Sequence, residues 1–245
     1  MSGGRVSVID ADRGLARTLT QDRVAAARAP STAAMMALGV GAWEAPADAA
    51  RAKGGYGLLV LDGLFVRLVG LGGRFGAELL GRGDLLRPWE GDGEPGGTLS
   101  FDSAWRVLTP ARLAVLDPAW AARMAAFPEV GPELTGRAIG RVRRAAALMS
   151  IVQLPRLEDR LWLLFWELAD RHGHVHPDGV HIDLPLTHEL ISHLAAARRP
   201  SVSGALTRLT EAGKLRRSGR SWVLCGDPPE PRSRGWAAAP AGSQR

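Results

Sequence analysis

Apolar positions recur at two different periods along this chain of 245 residues, and the change of period divides it. From Asp10 to Ala29, Leu15, Leu19, Val24 and Ala27 fall at helical spacing, with Asp10 and Asp12 supplying negative charge at the start and Pro30 ending the run. Ala33 to Val40 is a short apolar run that fits strand or helix equally. From Tyr56 the pattern shortens to runs separated by glycine: Leu58–Leu61, Leu64–Val69, Phe75–Leu80 and Leu85-Leu86, then Leu99–Phe101, Trp105–Leu108 and Arg112–Leu116 as closing strands. Turns are predicted at Asp62-Gly63, a hairpin signal, at Gly70–Gly73 and at Gly81–Asp84. Regular turns between short strands predict a small antiparallel sandwich or jelly roll. Arg87 to Gly97 reads as a loop rich in glycine, proline and acids. Helical spacing returns in Pro118–Phe127, Glu133–Val152 and Arg156–Arg171. In the longest of these, Ile139, Val142, Ala146 and Met149 recur at steps of 3, 4 and 3, a seam suited to a partner helix, and Pro155 stops or bends it. Arg171 to Leu186 reads as loop and short strand.

Leu186 to Leu224 carries the densest set of signals. Thr187 is a good N-cap, followed by Leu190, Ile191 and Leu194 on one helical face. Ala195 to Ala197 is small enough for two helices to turn closely. A second helix, Arg199 to Ala212, opens with Pro200 in its first turn and buries Val202, Ala205, Leu206 and Leu209. Gly213 stands where a C-terminal glycine belongs. Lys214–Arg217 and Arg220–Leu224 then alternate around Ser218-Gly219 as a hairpin. The plan is that of a winged helix-turn-helix.

Charge singles out the same stretch. Residues 198 to 220 hold seven basic residues (Arg198, Arg199, Arg208, Lys214, Arg216, Arg217, Arg220) and one acid, Glu211, a surplus of six. The whole chain has a formal charge of +6, so the rest sums to zero. A surplus confined to one helix and its wing is an electrostatic footprint for a polyanion. The rest of the composition sets bounds. A hydrophobic fraction of 46% with 23% charged residues is globular, and the length allows two cores. No run of 18 apolar residues and no apolar segment near the N-terminus is present, so neither a membrane span nor a secretory signal is expected. The single cysteine, Cys225, leaves no internal disulfide and fits a reducing cytoplasm.

Other chemistry is poorly supported. Gly70, Gly72, Gly73 and Gly76 do not complete a dinucleotide loop, because Phe75 stands in the way of the required spacing and no βαβ unit follows. Ser201 and Ser203 have no His-Asp pairing, so no catalytic triad is expected. His172, His174 and His176 alternate, with His181 nearby, and on an extended segment the first three would share a face; solvated linker imidazoles are favoured over a metal site. No cofactor and no enzymatic activity are expected.

The order of sandwich, long helix and winged helix-turn-helix resembles the cyclic-AMP receptor/fumarate-nitrate regulator (Crp/Fnr) family of bacterial transcription factors. Ile191-Ser192, Arg199 to Ser203 and Leu209 to Gly213 sit at the family's spacings, and Asp62-Gly63 and Gly81 to Asp84 look like the turns of its sandwich. The resemblance covers about Asp10 to Leu224. It implies an α+β fold with a jelly-roll, cyclic-nucleotide-binding-like sensor sandwich over residues 1–130, a dimerisation helix over 131–154, a winged helix-turn-helix over 155–225 and a disordered tail over 226–245. It also implies a homodimer joined through Ile139, Val142, Ala146 and Met149, double-stranded DNA as ligand on a palindromic site, and RNA polymerase as a further partner. Within the second helix Arg199 becomes the best base reader, bidentate to a guanine. Ser201 and Ser203 would bond phosphates or base edges, Thr187, Arg208, Arg216, Arg217 and Arg220 position the backbone, and Arg198 completes the DNA-binding set. The family often carries an arginine where Gly204 stands, so one base contact is missing.

The sensor half departs from the family. Its cyclic-nucleotide binders carry a Gly-Glu pair and then Arg-Ser/Thr-Ala after the Gly-Asp turn. Here Leu85 to Val107 offers Gly93-Glu94, but the next arginine is Arg106, followed by Val107. A phosphate buried without its cation is uncompensated, so cyclic-nucleotide binding is not expected. A cluster needs several thiolates, and residues 1 to 171 contain neither His nor Cys to ligate haem, so the effector is left open. Two rivals are weighed against the regulator. A small-molecule-binding or cupin-like enzyme domain would need a His/Glu metal cluster in the barrel, and no histidine precedes His172. The other is a protein-interaction module docking its basic helix on an acidic partner.

Overall fold

The structure, a computed structural model, describes residues 4–90 and 98–228. Gly93-Glu94 and the tail from residue 229 lie outside the described residues. The N-terminal half is one antiparallel sheet system built from β1 (Gly4–Ser7), β2 (Thr32–Leu38), β3 (Gly41–Trp43), β4 (Gly57–Leu71), β5 (Arg74–Gly81), β6 (Leu85–Leu86) and β7 (Asp102–Leu116). The order is β1-β2-β7-β4-β5, with β3 also on β7 and β6 also on β4. The ambiguous run after Pro30 is therefore a strand.

Two 15-residue strands, β4 and β7, run through both layers and make the sandwich. The consecutive apolar run Leu58–Leu61 reflects burial on both faces. Leu58 and Val60 point into the sandwich with Phe65, Leu80 and Leu113. Leu59 and Leu61 point to the helical side, with Trp120 and Leu134. Asp62-Gly63 is not a hairpin turn: β4 continues through it, and the register against β7 shifts between Val60 and Phe65. Two of the three closing strands, Trp105–Leu108 and Arg112–Leu116, are likewise one strand, because β7 pairs along β4 from Asp102 to Leu116, whereas Leu99–Phe101 is not part of it. The hairpin at Gly72-Gly73 forms as the sequence predicts, pairing Leu71 with Arg74.

The helix expected over Asp10–Ala29 is broken. Its parts are α1 (Val8–Ala11), a short 3-10 turn (Arg13–Ala16) and α2 (Gln21–Ala27). The break lies at Asp12, whose φ is −133°. Its carboxylate caps the 3-10 turn through Gly14 N at 3.1 Å and also takes both guanidinium nitrogens of Arg137. A residue committed to those partners cannot hold helical dihedrals. After β7, α3 (Pro118–Met124) is capped by Asp117, whose carboxylate accepts from Trp120 N at 2.7 Å.

Helix α4 (Val130–Val152) crosses the sandwich. Val130 and Leu134 anchor its start in the apolar cluster, and three ion pairs fasten its middle. Arg137 pairs with Asp12, Arg141 with Glu78 at 2.5 Å, and Arg144 with Asp84 at 2.6 Å, all three on one face. The C-terminal domain follows: α5 (Leu157–His172), β8 (Gly173–His176), β9 (Gly179–Ile182), α6 (His188–Leu194), α7 (Arg199–Glu211), β10 (Leu215–Ser218) and β11 (Ser221–Leu224). Arg171–Leu186 is more ordered than its sequence suggests, since β8 and β9 form a hairpin that extends the wing into a four-stranded sheet, β10-β11-β9-β8. The wing turns at Gly219-Arg220, one residue beyond the expected pair, because Ser218 is still paired with Ser221.

The two halves share a core. Leu64, Val66 and Leu79 of the sandwich pack in one cluster with Leu161, Phe165 and Leu194. Asp84 binds Arg144 and Arg171 together, and His193 Nδ1 lies 3.1 Å from the carbonyl of Phe75.

Candidate nucleic-acid interface

Thr187 caps α6, its hydroxyl accepting from Leu190 N at 3.1 Å. The link to α7 passes through Ala196 at φ +48°, a left-handed residue whose small side chain tolerates the tight turn. Helix α7 ends in a Schellman arrangement. Lys214 N reaches Leu209 O and Gly213 N reaches Thr210 O, both at 3.0 Å, with Gly213 at φ +68°. Val202, Ala205, Leu206 and Leu209 are buried as the spacing requires, which turns Arg199, Ser201, Thr207 and Arg208 outward. Trp222 is not a surface group: it is 5% exposed, its ring 5.2 Å from Phe165, so it packs the wing onto α5.

The seven basic residues of the stretch fall into two sets. Arg208 is paired with Glu158 of α5, and Arg216 with Asp178 of the β8–β9 turn. Arg217 stacks over Trp222 at 4.5 Å, and Lys214 lies 5.6 Å from the Trp162 ring. Among the described residues, Arg198, Arg199 and Arg220 make no side-chain hydrogen bond or ion pair. Arg199 stands in the first turn of α7, Arg198 at its N-cap and Arg220 at the tip of the wing. Glu158 and Asp178, from outside the basic stretch, thus offset part of its surplus in space. Exposed pairs of this kind are worth about 0–1 kcal/mol, so a phosphate can take over either arginine at little cost. Glu158 is held below its usual carboxylate range by its own backbone hydrogen bond and by Arg208. Asp178 is held low by hydrogen bonds from His181 and Arg216.

Ser201 is exposed and free among the described residues, whereas Ser203 is engaged: its Oγ lies 2.8 Å from His188 Nδ1 and 3.2 Å from Arg199 O. The histidine run is divided. His172 ends α5, where burial and then Arg171 push it down to about 4. His174 and His176 lie on β8, and His176 stacks on His181 at 4.4 Å. Among the described residues no three His, Cys, Asp or Glu side chains are placed to hold a metal ion.

The residues expected to join two copies lie exposed along α4, with Val142 and Met149 at the rim of a cavity. Ile139 is 48% exposed, Val142 and Met149 are each 68% exposed, and Ala146 is exposed beside them. Beneath this helix, a cavity of about 1200 Å³ is bounded by β4, β5, α4, α5 and α6, with Arg67, Glu78, Arg141, Glu167 and His193 on its wall. Burial raises the Glu167 carboxyl above its usual range. The sandwich interior itself is filled by Trp43 against Phe65 and Trp105, with ring centroids 5.5 and 5.9 Å apart. Arg106, the arginine after Gly93-Glu94, is exposed on β7.

Comparison with known proteins agrees with this architecture. Residues 159–229 match the model of the Crp-like helix-turn-helix domain. The regulatory protein CysR of Synechococcus elongatus is 31% identical over 86 residues, 34% of this chain and 42% of that protein, so the match spans less than half of the relative. A CRP-family transcriptional regulator from Thermus thermophilus superimposes with a TM-score of 0.56 at 22% identity, covering 78% of this chain and 92% of that one. A cyclic-nucleotide-binding-domain protein from Listeria monocytogenes gives 0.61 at 13% identity, covering 78% and 88%. At these identities the superpositions establish the fold. No described helix is long and apolar enough to cross a membrane. Residues 159–229 thus belong to the Crp-like helix-turn-helix domain family, and they follow a sandwich and a long helix in a fold shared with CRP-family regulators.

Proposed function

We propose that this protein is a transcription regulator that binds DNA sequence-specifically as a homodimer, and that its sandwich does not hold a cyclic nucleotide. The observation that carries the reading is the unpaired guanidinium of Arg199 in the first turn of α7, on the second helix of a Crp-like domain. An arginine with no internal partner gives up no existing bond to make a bidentate contact to guanine O6 and N7. Arg198 at the N-cap of the same helix and the exposed Ser201 in its first turn would act with it, together with Thr187 at the start of α6 and Arg220 at the wing tip, while Arg208, Arg216 and Arg217 can turn to phosphates. Selection of bound fragments from a genomic library should return one motif. Arg199→Ala should lower the preference for that motif over random DNA by about ten- to a hundredfold, the range of one bidentate base contact. An unchanged motif and ratio would remove Arg199 from the role of base reader. Salt titration against random competitor separates such binding from mere adhesion of a basic patch.

The dimer rests on the outer face of α4. Ile139, Val142, Ala146 and Met149 give the outward side an apolar stripe, while the arginines of the opposite side are engaged by the sandwich. A second α4 would cover the stripe and set two α7 helices on half-sites about one helical turn apart. Val142→Glu combined with Met149→Glu should convert the protein to a monomer in sedimentation equilibrium, because like charges would then face each other across the seam. A wild-type monomer at micromolar concentration would refute the dimer. The absence of a cyclic-nucleotide site is supported by the aromatic filling of the sandwich and by the outward position of Arg106.

A further inference from the structure

We propose that His188 fixes Ser203 as a pure hydrogen-bond acceptor, so that this position of α7 reads the amino group of an adenine or a cytosine; the inference rests on the DNA-binding reading above. Ser203 lies one turn after Arg199. Its Oγ is 3.2 Å from the carbonyl oxygen of Arg199 and 2.8 Å from Nδ1 of His188, the first residue of α6. A serine hydroxyl has one proton and two lone pairs. The carbonyl of Arg199 can only accept. If Ser203 gave its proton to Nδ1, two oxygens would face each other at 3.2 Å with no proton between them. Both contacts are hydrogen bonds only when His188 carries its proton on Nδ1. The chain then runs from His188 Nδ1–H to Ser203 Oγ, and from Ser203 Oγ–H to Arg199 O. The histidine tautomer follows from the network it must satisfy.

One lone pair of Ser203 is left, and it can meet only a donor. Phosphate oxygens are acceptors, so in this state Ser203 does not bind the DNA backbone. In the major groove the base donors are adenine N6 and cytosine N4. Ser203 is only partly buried, and Gly204 beside it brings no side chain to compete for the base. His188 is therefore a positioning residue: it acts on the base through Ser203. Its ring is backed by Trp222, at 6.4 Å between centroids, which is itself packed on Phe165.

The test has two arms, both on the full-length chain. In the first, 15N chemical shifts of the His188 ring are measured in the free protein. An Nδ1–H tautomer is expected, and an Nε2–H tautomer would overturn the inference without reference to DNA. In the second, bound sequences are selected from a randomised half-site pool by the wild type and by His188→Ala, Ser203→Ala, the double variant and His188→Asn. The wild type should prefer adenine or cytosine over guanine or thymine at one half-site position by about fivefold, the scale of a single hydrogen bond. His188→Ala and Ser203→Ala should each flatten that position, and the double variant should do no more. His188→Asn, whose side-chain amide can donate in place of Nδ1–H, should restore the preference, which a merely structural histidine would not show. If His188→Ala does not fold, Ser203→Ala and His188→Asn carry the comparison. Retention of the base preference in a folded His188→Ala protein, or failure of His188→Asn to restore it, would overturn the inference while leaving the DNA-binding reading intact. A wild type that selects no motif would overturn both.

Discussion

Replacing Asp84 by alanine should destabilise the protein by about 3 kcal/mol, the lower end of the cost of orphaning buried ion-pair partners. Asp84 is 3% exposed. One carboxylate oxygen accepts from Gly81 N at 2.8 Å and from Arg171, and the other from Arg144 at 2.6 Å. Alanine would leave two guanidiniums side by side with no anion between them. Their side chains keep 24% and 30% exposure, so water screens part of the penalty, which is why the lower end applies. For a chain of this size the loss corresponds to roughly 6–12 °C in the unfolding midpoint by calorimetry. The three partners belong to the sandwich turn, α4 and α5, so the variant should also lose protection from hydrogen exchange where α5 meets the sandwich. A midpoint within about 2 °C of wild type would mean that the apolar cluster of Leu64, Val66 and Leu79 with α5 and α6 holds the halves together unaided.

Gly63→Asn should cost about 3–5 kcal/mol, and the size of the loss separates two readings of the Asp62-Gly63 pair. Asparagine tolerates positive φ, and at a hairpin turn open to water it is a common substitute for glycine. Gly63 has φ +92° but lies inside β4, against β7. A Cβ there would stand 2.4 Å from Ala111 Cβ, 2.6 Å from Ala111 Cα and 2.8 Å from Pro110 O. Two of these are backbone atoms, which cannot swing away. The strand must move or the register of the bulge must change, and overpacking of that kind adds about 1–3 kcal/mol to the cost of a left-handed residue. Denaturant unfolding of the variant checks this. A loss below about 1 kcal/mol would fit the open turn and contradict the bulge.

The same glycine shows where the sequence stops being informative. A strand that bends through a bulge and a hairpin that turns back both need a residue without Cβ and an acid or amide before it. What decides between them is β7, some fifty residues away, which pairs with both sides of the bend. The closing strands merged for the same reason: Pro110 looks like a break in sequence, but it faces the bulge where no ladder bond is demanded. Asp12 broke a helix that local spacing supported, because Arg137 from α4 needed its carboxylate. Leu186 to Leu224 read more truly. Its caps, its buried stripe and Gly213 are satisfied by neighbours within a few residues, so local chemistry was enough to place α6, α7 and the wing to within a residue.

The candidate interface divides along the same line. The chain by itself determined the basic stretch, the position of Arg199 in the first turn of its helix, and an apolar seam on the longest helix, because each follows from residue type and short spacing. Only the tertiary structure decided which cations are free. Glu158 and Asp178 come from other elements to pair with Arg208 and Arg216, Trp222 turns inward under Arg217, and His188 reaches across from α6 to hold Ser203. Ion pairs and hydrogen bonds form at a few ångströms in space with no fixed separation along the chain. Composition can therefore count charges, but only the packed fold assigns their partners.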